Sequence, residues 1–191
     1  AAQARPPKGA VDVTLPGRPR WIGHAHVISQ TLDEMKGIFA ELGFSVALGP
    51  EVELDAYNFE ALNFPANHPA RDLQDTFYVN DAVLLRTQTS PMQVRIMRSQ
   101  PPPVRVVVPG RVYRNEQIDA THAAEFQQLE GLYVDRNVSM VDLKATIAYF
   151  TRRLFGAGTR IRFKPHFFPF TEPSVDVDMT CFACDGKGCK L

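Results

Sequence analysis

An excess of either charge is missing from this chain: its 191 residues carry 21 Lys and Arg against 21 Asp and Glu. Proteins that hold polyanions through their overall field show a basic surplus, so any nucleic-acid contact here must use a local patch or a partner chain. Long apolar runs are missing too. Nothing approaches the roughly 18 apolar residues of a membrane span, and "AAQARPPKGAVDVTLPGRPR" at the start has no apolar signal-peptide segment. Cysteine is scarce, and its three copies fall within nine positions near the C-terminal end. An odd, tightly clustered set excludes a disulfide framework and suits a reducing, cytoplasmic compartment. No internal repeat or low-complexity tract is present. The hydrophobic fraction of 45% and charged fraction of 22% are ordinary for a globular protein, and the length suits one domain with a real core.

Residues 1–20 hold four Pro and two Gly among basic residues, the pattern of an extended linker, and the folded domain is expected over 21–191. Ile28, Leu32, Met35, Phe39 and Leu42 recur at spacings of four and three, which predicts an amphipathic helix ended by Gly43. "FSVALGPEVELDAYNF" reads as an edge or interface strand. "AVLLRTQTSPMQVRIMRSQPPP" reads as a strand turning into a helix that Pro101–Pro103 stop. At its start Ser90, Pro91 and Gln93 fit a capping box. Ser139 opens another helix, with Leu143, Ile147, Phe150 and Leu154 inward and Gly156 at its end. "RIRFKPHFFPF" and "SVDVDM" alternate as strands do. Helices and antiparallel strands mixed without a regular strand–helix–strand repeat predict an α+β fold, an antiparallel sheet flanked by helices.

"VRVVVPGRVYRNEQ" and "EFQQLEGLYVD" predict the two arms of a hairpin. Alternate residues share a face, so Val112, Arg114 and Glu116 go together, as do Phe126, Gln128, Glu130, Leu132 and Val134. Gln128 and Glu130 are polar intrusions in an otherwise apolar row. The connection, about Gln117 to Glu125, is longer than the usual two to five residues and contains His122. An Arg beside a Glu suits an anionic ligand that also carries donors, and Phe126 offers a flat surface for a base. The plain alternative is a surface salt bridge with a core Phe.

These residues carry a resemblance. "VYRNEQIDATHAAEFQQLEG" is similar to motif 2 of the class II aminoacyl-tRNA synthetases, in the form found in bacterial-type phenylalanyl-tRNA synthetase α subunits. "NFEALNFPANHPARDLQDTFYV", "LLRTQTSPMQVR", "PPPVRVVVPGRVYR" and "FFPFTEPSVDV" resemble the same family, from about Trp21 to the end. The resemblance implies a class II catalytic core that activates phenylalanine with ATP and transfers it to tRNA(Phe). Mg²⁺ would accompany ATP, and a β subunit would complete an α2β2 tetramer.

By that resemblance Arg114 contacts the ATP α-phosphate and the phenylalanine carboxylate. Glu116 and His122 hold the adenine end, and Phe126 stacks on the adenine. Gln128 and Glu130 orient the amino-acid ammonium, with Ser90 and Gln93 beside them. Phe168 and Phe170 line the pocket for the substrate ring, against the plain reading of core aromatics. Gln88, counted by the resemblance with the amino-acid-binding residues, stands where relatives commonly have His, which keeps a donor and an acceptor but removes a titratable ring. "GHAHVI" departs from the usual His-Pro-Leu of motif 1. Motif 3 and an N-terminal coiled-coil arm are absent from the stretch, so the fragment is expected to be inactive alone.

Cys181, Cys184 and Cys189 form C-x2-C-x4-C, whose first pair has the spacing of a zinc knuckle. A tetrahedral site wants four ligands, so the thiols are expected empty or disordered, with a structural Zn²⁺ as the metal in an intact chain. Two rival functions remain: a synthetase-like paralogue adenylating another amino acid without tRNA, and a zinc-linked RNA-binding module using Arg160, Arg162 and Lys164.

Overall fold

The computed structural model describes residues 14, 17, 23–64, 76–115, 118, 119, 122–168 and 171–189. Most of the linker expected over residues 1–20, together with Glu116, Phe170 and the side chain of Phe168, lies outside them.

Helix α1 (Val27–Glu41) opens the described fold and ends as its pattern predicts, with Gly43 at φ 80° just past the C-cap Leu42. Strands β1 (Ser45–Val46) and β2 (Val52–Leu54) follow, then a short helix α2 (Asp55–Asn58) and a 3₁₀ turn over Glu60–Leu62. Strands β3 (Tyr78–Asn80) and β4 (Val83–Leu85) lead into helix α3 (Pro91–Ser99). The hairpin is β5 (Val104–Tyr113) and β6 (Glu125–Val134), followed by helix α4 (Met140–Phe155) and a second hairpin, β7 (Ile161–Phe168) with β8 (Thr171–Met179).

Among the described residues the strands form three small sheets, ordered β1-β5-β6, β2-β4-β3 and β7-β8. Only β1 with β5 is a parallel pair; every other pair among the described residues is antiparallel. Both β1 and β2 lie at sheet edges, as their interrupted sequence predicts. The fold is α+β.

The β5–β6 hairpin is sandwiched. On its even-numbered face Val104, Val106 and Val108 pack with Met92 and Ile96 of α3, and Ala47, Leu132 and Val134 close the cluster. Burying such side chains contributes about 1.5–3 kcal/mol each. On the odd-numbered face Leu129 lies in an apolar cleft with Met35 and Phe39 of α1 and Ile147 and Phe150 of α4. Phe39 stacks on Phe150 at 4.9 Å, joining the two helices. A second core, Phe59, Phe64 and Leu84, ties α2 to β4.

Helix α4 starts with a complete capping box, in which Ser139 and Asp142 satisfy each other's backbone N–H groups. Of its expected inward residues, Ile147, Phe150 and Leu154 are half-buried, but Leu143 is 42% exposed. No helix among the described residues is long and apolar enough to cross a membrane.

Candidate active site

Strand parity builds the site. The register pairs Val108 with Glu130, Gly110 with Gln128 and Val112 with Phe126, so these side chains share the even face. That face is aliphatic beneath α3 and turns polar toward the loop. Arg114 lies one residue beyond β5, yet its N–H donates to the Ala124 carbonyl at 3.0 Å, continuing the pairing. Its guanidinium carbon sits 5.0 Å from the centre of the Phe126 ring. The Arg114 Nε–H also donates to the Thr87 carbonyl at 3.4 Å. A cation and a flat ring, both half-buried, project together from neighbouring strands.

Glu130 is the hub of the polar stretch. Its carboxylate accepts from the Ser90 hydroxyl, from Gln93 Nε2 and, at 3.3 Å, from the Thr89 hydroxyl. Gln128 Oε1 accepts from the Thr89 N–H at 3.1 Å. The capping box expected at Ser90 does not form. Ser90 has helical angles, φ −59° and ψ −24°, and makes no side-chain cap bond. A hydroxyl gains more from a carboxylate than from a neutral N–H, because charge-assisted bonds are roughly twice as strong. These five polar residues therefore form one cluster reaching from α3 to β6.

Two buried residues that the sequence reading missed hold the segment that leads into this cluster and the backbone around it. Asn58 is fully buried at the end of α2; its Oδ1 accepts the Thr87 N–H at 3.2 Å and its Nδ2 donates to the Thr87 hydroxyl at 3.0 Å. Its main-chain carbonyl accepts from Gln88 Nε2 at 3.2 Å, so Gln88 serves the scaffold in this arrangement. Arg86 is only 3% exposed. Its Nε donates to the Arg111 carbonyl at 2.8 Å and its Nη1 to the Gly49 and Pro50 carbonyls at 3.2 Å each. The guanidinium lies over Gly110, where a Cβ would come within 2.0 Å of Nη2. Burial pushes the Arg86 guanidinium below the usual arginine range, with the nearby Glu51 opposing. The run of polar residues in "RTQT", between an apolar strand and a helix, is the only trace of these contacts in the sequence.

In the loop, His122 turns back on Asp119. Its N–H donates to Oδ1 at 2.8 Å, and its Nδ1 lies 2.9 Å from both carboxylate oxygens. The contact is exposed.

Residues 10–189 match the family described as tRNA synthetases class II core domain (F). This chain belongs to that family. It is 57% identical over 188 residues to the phenylalanine–tRNA ligase alpha subunit of Caldicellulosiruptor saccharolyticus, covering 98% of this chain and 55% of that protein. The protein of the same name from Caldanaerobacter subterraneus is 59% identical over 181 residues, covering 95% of this chain and 53% of the relative. That of Chlorobium limicola is 56% identical over 196 residues, covering 100% and 58%. The chain thus spans a little over half the length of these curated relatives. A solved pyrrolysyl tRNA synthetase from Desulfitobacterium hafniense shares the fold, with a TM-score of 0.60 at 14% identity over 80% of this chain and 54% of that one.

Within the class II core, the described side chains of Arg114, Phe126, Gln128, Glu130, Ser90 and Gln93 gather at one end of the hairpin face. Glu116, Phe170 and the Phe168 side chain are outside the described residues.

The three cysteines sit apart, below β8. Contrary to the expectation of disorder, their sulfurs all lie within 4.8 Å of one another, with Cys181 and Cys189 at 3.7 Å. The turn that gathers them uses Gly186 at φ 77° and Gly188 at φ 94°. The Ala183 N–H, then the Cys184 N–H and the other two thiols, hold the Cys181 thiol below the usual range. Phe182 stacks on Phe155 at 5.8 Å, docking the turn on α4.

Proposed function

We propose that this chain is the catalytic core of a phenylalanine–tRNA ligase α subunit, which activates phenylalanine with MgATP and passes it to tRNA(Phe). The observation that carries the reading is the shared placement of Arg114 and Phe126, beside the Glu130 cluster, in a chain 57% identical to a protein of that name. In the first step the phenylalanine carboxylate attacks the α-phosphorus of ATP in line, and pyrophosphate leaves. Negative charge grows on the α-phosphoryl oxygens, and a fixed guanidinium there lowers the barrier. Arg114 supplies that guanidinium, and Phe126 supplies the stacking surface for adenine. Glu130, with Gln128, Ser90 and Gln93, receives the ammonium of the amino acid. Phe168 and Phe170 line the ring pocket, while Glu116 and His122 steady the adenine end. In the second step the 3′-terminal ribose of tRNA takes the acyl group. A β subunit, in an α2β2 assembly, is the partner, and the cytoplasm is the compartment.

Zn²⁺ fits the cysteine turn. An ion with Zn–S bonds of about 2.3 Å in tetrahedral geometry spaces its sulfurs roughly 3.8 Å apart, close to the 3.7 Å between Cys181 and Cys189. Its role would be structural, holding the end of β8 against α4.

Phenylalanine-dependent ATP–pyrophosphate exchange by the full-length subunit assembled with its partner tests the reading. Exchange with phenylalanine and not with other amino acids, lost in Arg114→Ala, is the expected result. Exchange driven by a different amino acid would instead favour the paralogue.

A further inference from the structure

We propose that Asn58 is a positioning residue for Arg114, acting through Thr87. The inference rests on the reading of Arg114 as the group that stabilises the α-phosphoryl charge. The carbonyl that receives Arg114 Nε belongs to Thr87, at 3.4 Å. The plane of a guanidinium follows the direction of its Nε–H bond, so whatever fixes this carbonyl fixes the fork that faces the phosphate.

Residues 86–89 run beside the hairpin without regular strand pairing, so each has to be held by an individual contact. On the hairpin side, the Arg86 carbonyl accepts the Tyr113 N–H at 2.9 Å, and the Thr89 N–H donates to Gln128. On the opposite side, Asn58 does the holding. Its amide grips the N–H and the hydroxyl of Thr87 together, and its carbonyl takes the Gln88 side chain. Both Asn58 and Thr87 are fully buried, so water cannot replace either bond. An amide is suited to this grip because it presents one donor and one acceptor on the same short side chain.

Asn58 is itself immobilised. It is the last residue of α2, and the next residue, Phe59, is locked into the Phe59–Phe64–Leu84 core, with its N–H on the Asp55 carbonyl at 2.9 Å. The chain of contacts therefore runs from an aromatic core, through one amide, to the peptide beneath Arg114. Asn58 touches no substrate in this scheme. Its effect is on where the guanidinium points.

The test uses the full-length subunit assembled with its partner, with exchange rates normalised to titrated active sites. Asn58→Ala is expected to lower kcat by roughly 10²-fold, the scale of a 1 Å misplacement, while KM for ATP and phenylalanine moves by less than about threefold. In an Arg114→Ala background, Asn58→Ala should cause no further loss, because the two act as a unit. A merely structural residue would lower the fraction of active sites and add its loss in either background. Should Asn58→Ala not fold, Thr87→Val removes the hydroxyl half of the grip and Thr87→Ser restores it. The first should reproduce the kcat loss and the second should recover it. Additive losses, or an unchanged kcat per active site, overturn the proposal alone. An Arg114→Ala enzyme with undiminished exchange overturns the reading of Arg114 as well.

Discussion

The Arg114 guanidinium rests 5.0 Å above the Phe126 ring, on the same side of the hairpin as Glu130. Such a cation–π contact contributes about 0.5–1 kcal/mol at a partly exposed site. A phosphate would offer the guanidinium charge-assisted hydrogen bonds of about 1.5–3 kcal/mol, more than the ring does, as the proposed role of Arg114 requires. Arg114→Ala should lower kcat for pyrophosphate exchange by roughly 10²–10³-fold, as losing one transition-state donor does. Arg114→Lys should recover little, since an ammonium cannot make the planar, two-pronged contact. Equal activity of the Lys variant would show that charge alone is needed.

Phe126→Leu separates stacking from charge. The aliphatic side chain keeps the burial and loses the flat face, so KM for ATP should rise about 5- to 150-fold, the equivalent of 1–3 kcal/mol per stacked base. KM for phenylalanine should stay put. A matching rise in both would place Phe126 in the scaffold.

Glu130→Gln keeps the size of the hub and removes its charge. Ser90 and Gln93 would still find an oxygen, so the fold should persist, but an ammonium would lose its counterion. KM for phenylalanine is expected to rise on the order of 10–100-fold, matching a charge-assisted bond of about 1.5–3 kcal/mol. Steady-state exchange against phenylalanine concentration reads this directly. An unchanged KM would remove Glu130 from ammonium binding.

Much of this site was legible because period-two alternation survives folding. Val112, Phe126, Gln128 and Glu130 share a face for the same reason that they alternate in sequence. Ser90 was not legible. Its Ser-Pro-Met-Gln sequence fits a local cap, and the choice was made by Glu130, forty residues away in sequence, which offers a charged acceptor. Asn58 and Arg86 were hidden for a related reason. A polar residue in a turn is ordinarily exposed, and only the tertiary packing of α2 against β4, or of Gly110 beneath the guanidinium, buries these two. The cysteine turn was legible only in part. Counting ligands left the thiols empty or disordered, whereas their sulfurs lie within 4.8 Å of one another in a turn that has two glycines at positive φ.

Gly110→Ala should destabilise the chain. The new Cβ would lie 2.0 Å from Nη2 of Arg86, and that guanidinium is held by three carbonyls and cannot move aside freely. Overpacking of this kind costs about 1–3 kcal/mol, a fall in Tm of roughly 2–12 °C for a domain of this size. Gly131→Ala is the control, because its Cβ would meet nothing within 4 Å. Thermal unfolding of the two variants side by side checks the contrast.

Stability should have both an acid and an alkaline limb at the outer face of the hairpin. The Tyr113 hydroxyl, followed by Arg111, holds the Glu51 carboxylate below the usual glutamate range. A depressed folded pKa contributes stability that is present above the unfolded value and lost as pH falls through the folded one. The same bond raises the Tyr113 hydroxyl, chiefly through Glu51. That contribution is present below the unfolded tyrosine value and lost as pH rises through the folded one. Glu51 is partly exposed, so the whole effect is about 0.2–1 kcal/mol. Glu51→Gln should flatten both limbs of Tm against pH, and Tyr113→Phe should do the same; a variant that shifts the whole curve without changing its shape would rule the pair out as the cause.

Metal content decides the cysteine turn. The purified full-length subunit is expected to carry one Zn²⁺ per chain by elemental analysis, and Cys181→Ser should lose most of it, because three of the ligands are the sulfurs gathered within 4.8 Å. If an ion holds the turn, its removal should loosen the end of β8 from α4, where Phe182 stacks on Phe155. A chelator should therefore lower Tm and raise protease sensitivity near residues 180–189, while leaving KM for phenylalanine and ATP nearly unchanged. Phe182→Ala should mimic the proteolytic effect with zinc still bound, which separates docking of the turn from loading of the metal. Zinc-free protein with an undisturbed Tm would reduce the cluster to three neighbouring thiols.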